Sequence, residues 1–142
     1  HVPVSKKNIL AVQTLKVTPA QSATLYEQAL KKYISSKHPF DMVLLGIGEE
    51  GHTASIFPKS ELITDKKNWV KNIWVQEKQM DRISFTLPFI NKAKNIVFLI
   101  SGENKAAIIK KIFSKSGAAL PAAMVKATKN TFWFLDDAAA GH

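Results

Sequence analysis

Three short runs in this chain are apolar on both faces, and no other feature restricts the fold as much. Phe40-Asp41-Met42-Val43-Leu44-Leu45, Asn95-Ile96-Val97-Phe98-Leu99-Ile100-Ser101 and Thr131-Phe132-Trp133-Phe134-Leu135 lack the polar–apolar alternation of a half-exposed strand. A strand that is hydrophobic on both sides must be covered on both sides, as in a parallel sheet between helices. Sequence with helical spacing separates the runs. Thr18-Pro19-Ala20-Gln21 predicts a helix start, with Thr18 as N-cap, Pro19 at the first helical position and Gln21 closing a capping box. Ala23, Tyr26, Ala29, Leu30, Tyr33 and Ile34 then recur three and four residues apart, with Glu27, Lys31, Lys32 and Lys37 on the opposite side. A second helix is predicted over Glu103 to Ser114. The expected fold class is α/β: three layers, a mostly parallel sheet with helices on both faces, Rossmann-like, with ligands at the carboxyl ends of the strands.

Other segments carry weaker signals. Asn8 to Leu15 predicts a strand or extended segment, 59–68 an irregular polar stretch, and Trp69 to Val75 and Ile83 to Leu87 two strands around a loop carrying Asp81-Arg82. The 142 residues suit a single domain, 1–142. The chain opens at His1 without a methionine and runs into Val2-Pro3-Val4, which reads as the middle of a connection, and Ala138 to His142 reads as a tail. His1 and His142 therefore carry no functional weight.

Several function classes fall away on composition. No apolar run approaches the ~18 to 20 residues that cross a bilayer, and no secretory signal opens the chain, so neither a membrane role nor secretion is expected. Cysteine is absent, which removes disulfides, thiolate metal ligands and cysteine nucleophiles and fits a cytoplasmic location. The formal charge of +9 suits an anionic partner. All the cations but Arg82 are lysines, scattered as singles and pairs without aromatic interleaving. That distribution argues against a nucleic acid and reads first as a lysine-rich solvated surface.

Half of the six glycines fall within one stretch, Gly46-Ile47-Gly48-Glu49-Glu50-Gly51, directly after the first apolar run. The spacing matches G-x-G-x-x-G, with Asp65 near the distance at which a dinucleotide fingerprint places an acid. Two features oppose that reading. Glu49 and Glu50 would set carboxylates beside a pyrophosphate, and Pro58 stops any helix soon after Gly51. The residues that follow point elsewhere. His52 sits on the glycine turn at the mouth of the expected sheet, and histidine changes charge near neutral pH, so it can take a proton from water. Glu50, two residues earlier, can orient the ring. His38, beside Pro39 at a helix end, reads as structural.

The segment Phe40 to Pro58, with Gly46-Ile47-Gly48-Glu49-Glu50-Gly51-His52-Thr53-Ala54-Ser55-Ile56-Phe57-Pro58 at its core, closely resembles the 6-phosphogluconolactonase signature, in which a buried strand ends in G-x-G-x-D-G-H-T-A-S-L-F-P. Arg82-Ile83-Ser84-Phe85-Thr86-Leu87-Pro88 resembles the family's arginine-bearing strand, Phe98 to Ala106 its strand, glycine turn and lysine, and Leu120-Pro121-Ala122-Ala123 with Trp133-Phe134-Leu135-Asp136 its C-terminal end. The related amino-sugar phosphate isomerase/deaminase group shares the Gly-His turn but continues I-A-F-N-E-P, so Thr53 to Pro58 favours the lactonase. The resemblance implies a NagB-type fold and hydrolysis of 6-phospho-D-glucono-1,5-lactone to 6-phospho-D-gluconate in the pentose phosphate pathway. A small phosphorylated sugar lactone is then the partner, and no cofactor or metal is needed.

By the same resemblance His52 is the general base and Glu50 its orienting acid, although the family usually carries Asp there. Arg82 and Lys105, with Gly48 and Gly51 of the turn, are assigned to substrate and phosphate binding. A lactone is an activated ester, so a base and donors for the oxyanion suffice without a covalent nucleophile. Ser55 lies in no G-x-S-x-G elbow and is expected to cap or pack. The family's N-terminal glycine- and serine-rich phosphate turn and its D-E-R motif do not occur here. The chain is therefore expected to correspond to the C-terminal portion of the family domain, and a non-catalytic sugar-phosphate-binding fragment is the alternative from another class.

Overall fold

A computed structural model describes residues 3–37 and 39–142; His38 and His1, with their expected bland roles, lie outside the described residues. The strands are β1 (Met42–Leu45), β2 (Val70–Val75), β3 (Met80–Phe85), β4 (Asn95–Ile100) and β5 (Asn130–Leu135). The helices are α1 (Pro19–Lys31), α2 (Leu87–Ile90), α3 (Ala106–Ile112) and α4 (Asp137–Ala140). The three doubly apolar runs form one parallel sheet in the order β1-β4-β5, in the register Val43↔Ile96 and Phe98↔Trp133. β2 and β3 make a separate antiparallel pair.

The α/β class read from the sequence stands, and the packing refines it. Val43, Leu45, Ile96, Phe98, Ile100, Trp133 and Leu135 project from one face into the main core, where they meet Leu87 and Ile90 of α2, Ile108, Ile109 and Ile112 of α3, and Ala139 of α4. Phe98 stacks on Trp133 with centroids 3.9 Å apart. The other face presents Met42, Leu44, Leu99, Phe132 and Phe134, exposed by between 43% and 62%. The described helices thus cover one face of this sheet, not two. α1 is turned to the hairpin instead, burying Ala23 and Leu30 against Val70, Trp69, Ile83 and Phe85. Its Glu27 accepts the backbone N–H groups of Trp69 (2.7 Å) and Val70 (2.9 Å).

Local chemistry explains the elements. The capping box at α1 forms as expected, with Thr18 Oγ1 accepting from Gln21 N and Gln21 Oε1 accepting from Thr18 N. Four expectations need correction. Asn8 to Leu15 holds no strand: a 3-10 turn at Lys6–Asn8 is followed by irregular backbone, whose carbonyls at Leu10 and Gln13 accept from the Tyr26 and Ser22 side chains of α1 rather than from a neighbouring strand. Arg82 lies within β3 and not in a loop, because a 3-10 turn at Gln76–Lys78, closed by Gln79 at φ 48°, lets pairing resume at Met80. The strand expected to reach Leu87 stops at Phe85, since Pro88 lacks an N–H for a ladder and starts α2. At the end of the chain Asp136 accepts from Ala139 N as the N-cap of α4, and Ala139 is buried. The helix expected from Glu103 begins as a 3-10 turn, Glu103–Lys105, and becomes α-helical at Ala106. No helix among the described residues is long and apolar enough to cross a membrane.

A candidate active site at the strand ends

The glycine turn after β1, the Gly102 turn after β4 and the β2–β3 hairpin enclose a cleft of about 460 Å³. His52, Glu50, Gly48, Arg82 and Lys105 all line it, although they come from positions up to 57 residues apart in the chain. Gly51 does not.

The turn itself is built by a two-residue alternation. Thr53 and Ile56 form an antiparallel bridge, with Ile56 N donating to Thr53 O at 2.8 Å and Ala54 at φ 50° turning the chain. Both bridging side chains are fully buried, and the Thr53 hydroxyl donates to Gly46 O at 2.9 Å. Side chains alternate across a bridge, so the next pair outward, His52 and Phe57, faces the cleft. Their rings pack with centroids 4.3 Å apart and planes inclined by 31°.

His52 Nδ1 lies 2.9 Å from Glu50 Oε2. The Glu50 carboxyl is held below its ordinary pKa chiefly by its own backbone N–H and, against some desolvation, by the His52 bond and the charges of His52 and Lys78. An ionised carboxylate can only accept, so Nδ1 is the donor in this contact, and in a neutral imidazole the free lone pair then lies on Nε2. The pair is accessible, with the side chains of His52 and Glu50 26% and 60% exposed.

Both glycines have a geometric part in the turn. Gly48 N donates to His52 O and Gly51 N to Gly48 O, each at 2.9 Å, so neither N–H is free for a substrate anion. A Cβ on Gly48 would fall 1.9 Å from His52 Cε1, and Gly51, at φ +80°, lies against Leu120. Asp65, the acid of the dinucleotide pattern, instead accepts from Lys67 N, Asn68 N and Asn68 Nδ2.

Arg82 arrives through the register of β3. Arg82 and Ser84 share one face of the strand, and Ser84 Oγ accepts from Ser55 N at 3.2 Å, fixing that face against the histidine turn. Among the described residues neither Arg82, Lys105 nor Lys78 has an ion pair or side-chain hydrogen bond, and the neighbouring Asp81 accepts from Asn72. Asn104 Nδ2 donates to Glu49 Oε1 at 2.8 Å and links the two glycine turns, which brings Lys105 to the site. Sequence reading missed Phe57, Lys78, Ser84 and Asn104. The two-residue spacing of Arg82 and Ser84 was a usable signal for one of them; nothing local marks the others.

The sequence matches the family described as glucosamine-6-phosphate isomerases/6-phosphogluconolactonase over residues 1–133. It is 38% identical to a 6-phosphogluconolactonase of Nostoc over 98% of this chain and 60% of that protein. A 6-phosphogluconolactonase of the rat is 37% identical over 96% of this chain and 56% of its own length. The chain thus spans less than two thirds of these curated relatives. The solved 6-phosphogluconolactonase of Trypanosoma brucei superposes with a TM-score of 0.74 at 28% identity, covering 85% of this chain and 52% of that one.

Proposed function

Since the chain belongs to the glucosamine-6-phosphate isomerase/6-phosphogluconolactonase family, we propose that it carries the catalytic histidine and two of the cations of a 6-phosphogluconolactonase site, acting on 6-phospho-D-glucono-1,5-lactone. The observation that carries this reading is the Glu50–His52 hydrogen bond in a cleft shared with unpaired Arg82 and Lys105.

In this reading His52 Nε2 takes a proton from a water molecule as the water oxygen bonds to the lactone carbonyl carbon. Negative charge passes to the carbonyl oxygen, which hydrogen-bond donors lining the cleft stabilise. Collapse breaks the bond between that carbon and the ring oxygen, which takes the proton back from the imidazolium. Water is consumed and 6-phospho-D-gluconate forms. Glu50 holds the ring in the Nδ1–H tautomer and stabilises its charged form. Arg82, a planar two-point donor without a partner among the described residues, and Lys105 grip the phosphate. The cysteine-free composition supports a cytoplasmic setting.

The test is direct assay of the purified chain on freshly made phosphorylated lactone, beside the His52→Ala variant. The expected result is hydrolysis that falls by about 10²- to 10⁴-fold in the variant. Equal rates in the two proteins, or deamination of glucosamine 6-phosphate without lactone hydrolysis, would overturn the assignment.

A further inference from the structure

Three features bear on the His52 ring: the Glu50 carboxylate at Nδ1, the close approach of Gly48, where a Cβ would fall 1.9 Å from Cε1, 2.1 Å from Nδ1 and 2.6 Å from Nε2, and the Phe57 ring. The hydrogen bond holds one edge and Gly48 leaves no room beside those three ring atoms, so the remaining freedom of the ring is limited by whatever else packs on it. Phe57 is the aromatic partner that does so. It is half-buried, reaches the cleft from the far side of the Thr53–Ile56 bridge, and is placed there by two fully buried anchors. Rings with centroids 4.3 Å apart and planes tilted by 31° pack together, and an apolar ring excludes water from that side of the imidazole, which strengthens the neighbouring hydrogen bond.

We infer that Phe57 is a positioning residue for the His52 imidazole, holding it in the one tautomer and orientation that leave Nε2 facing the cleft. The inference deepens the lactonase reading, but its first test does not depend on it. Among the described residues neither Arg82 nor Lys105 makes a cation–π contact with Phe57, so phosphate affinity is not expected to follow its removal.

The first experiment is nitrogen-15 NMR of the His52 side chain in the wild-type chain, Phe57→Ala, Phe57→Tyr and Phe57→Leu. A single Nδ1–H tautomer is expected in the wild type and Phe57→Tyr, and a mixture of tautomers in Phe57→Ala. Phe57→Leu keeps apolar bulk without a flat face and should resemble Phe57→Ala. The second is steady-state kinetics on the phosphorylated lactone. Phe57→Ala should lower kcat about tenfold with KM within twofold, the size expected when a catalytic group loses its alignment. Phe57→Tyr should restore it, and the Phe57→Ala effect should vanish in a His52→Ala background. An unchanged tautomer in Phe57→Ala, full rescue by Phe57→Leu, or the same kcat loss in the His52→Ala background would overturn the role. If wild type has no lactonase activity while the tautomer responds as described, the substrate assignment fails and the positioning role stands.

Discussion

The imidazole of His52 occupies the volume in which a side chain on Gly48 would begin, with Cε1 only 1.9 Å from the place of a Cβ. Gly48→Ala therefore expels the ring. Because His52 is partly exposed, the ring can swing into solvent without unfolding the turn. Lactone hydrolysis should fall about 10²-fold or more, while the melting temperature changes by only a few degrees. Parallel activity and thermal-melt measurements check this, and wild-type turnover in the variant would contradict it.

Replacing Glu50 separates charge from shape. Glu50→Gln can still accept a hydrogen bond but cannot stabilise an imidazolium, and should lower kcat by roughly tenfold or more. Glu50→Asp keeps the charge and should stay within a few-fold of wild type. Because the Glu50 carboxyl is held below its ordinary pKa, it remains the acceptor at neutral pH, and the bond is lost only as pH falls through that lowered value. Rate against pH for wild type and Glu50→Gln reads this out.

Arg82 has no partner of its own among the described residues, so its removal should cost little stability. Arg82→Ala should raise KM for the phosphorylated lactone by about 10- to 100-fold, the scale of losing hydrogen bonds to a charged group. Arg82→Lys should recover part of this, since a lysine returns the charge but not the two-point geometry. Hydrolysis of unphosphorylated gluconolactone is the control and should be unchanged.

Glu27 ties α1 to β2. Burial pushes its carboxyl up, but the Lys31 bond and the N–H groups of Val70 and Trp69 hold it lower overall. A carboxylate with a lowered folded-state pKa stabilises the fold above its unfolded-state pKa, and that stability disappears as pH falls through the folded value. Glu27→Ala leaves two backbone donors without their acceptor and should cost about 1–3 kcal/mol. Urea unfolding at neutral and acidic pH should show the gap between wild type and variant closing as pH falls.

The extent to which the sequence was readable follows from how far each signal reaches. Thr18 and Gln21 are three residues apart, so the start of α1 could be read directly and matches the structure. The doubly apolar runs predicted β1, β4 and β5, and the glycine-rich stretch marked the turn that holds His52 and Glu50. Pairings over longer spans gave no such signal. Ser55 with Ser84 is a separation of 29 residues, and Glu49 with Asn104 one of 55. The placing of α1 on the hairpin rather than on the main sheet was equally hidden, because an amphipathic face specifies burial but not a partner.

Helix caps, strand apolarity and the residues of the histidine turn were set by the sequence alone, since caps, side-chain periods and backbone preferences act within about four residues. Tertiary structure decided which side chains share the cleft: the register of β3 turns Arg82 inward, the Asn104–Glu49 bond brings Lys105 across, and the Thr53–Ile56 bridge sets Phe57 on His52. Those choices depend on how separate elements dock, and docking is governed by shape and hydrogen bonding between surfaces that exist only once the chain has folded.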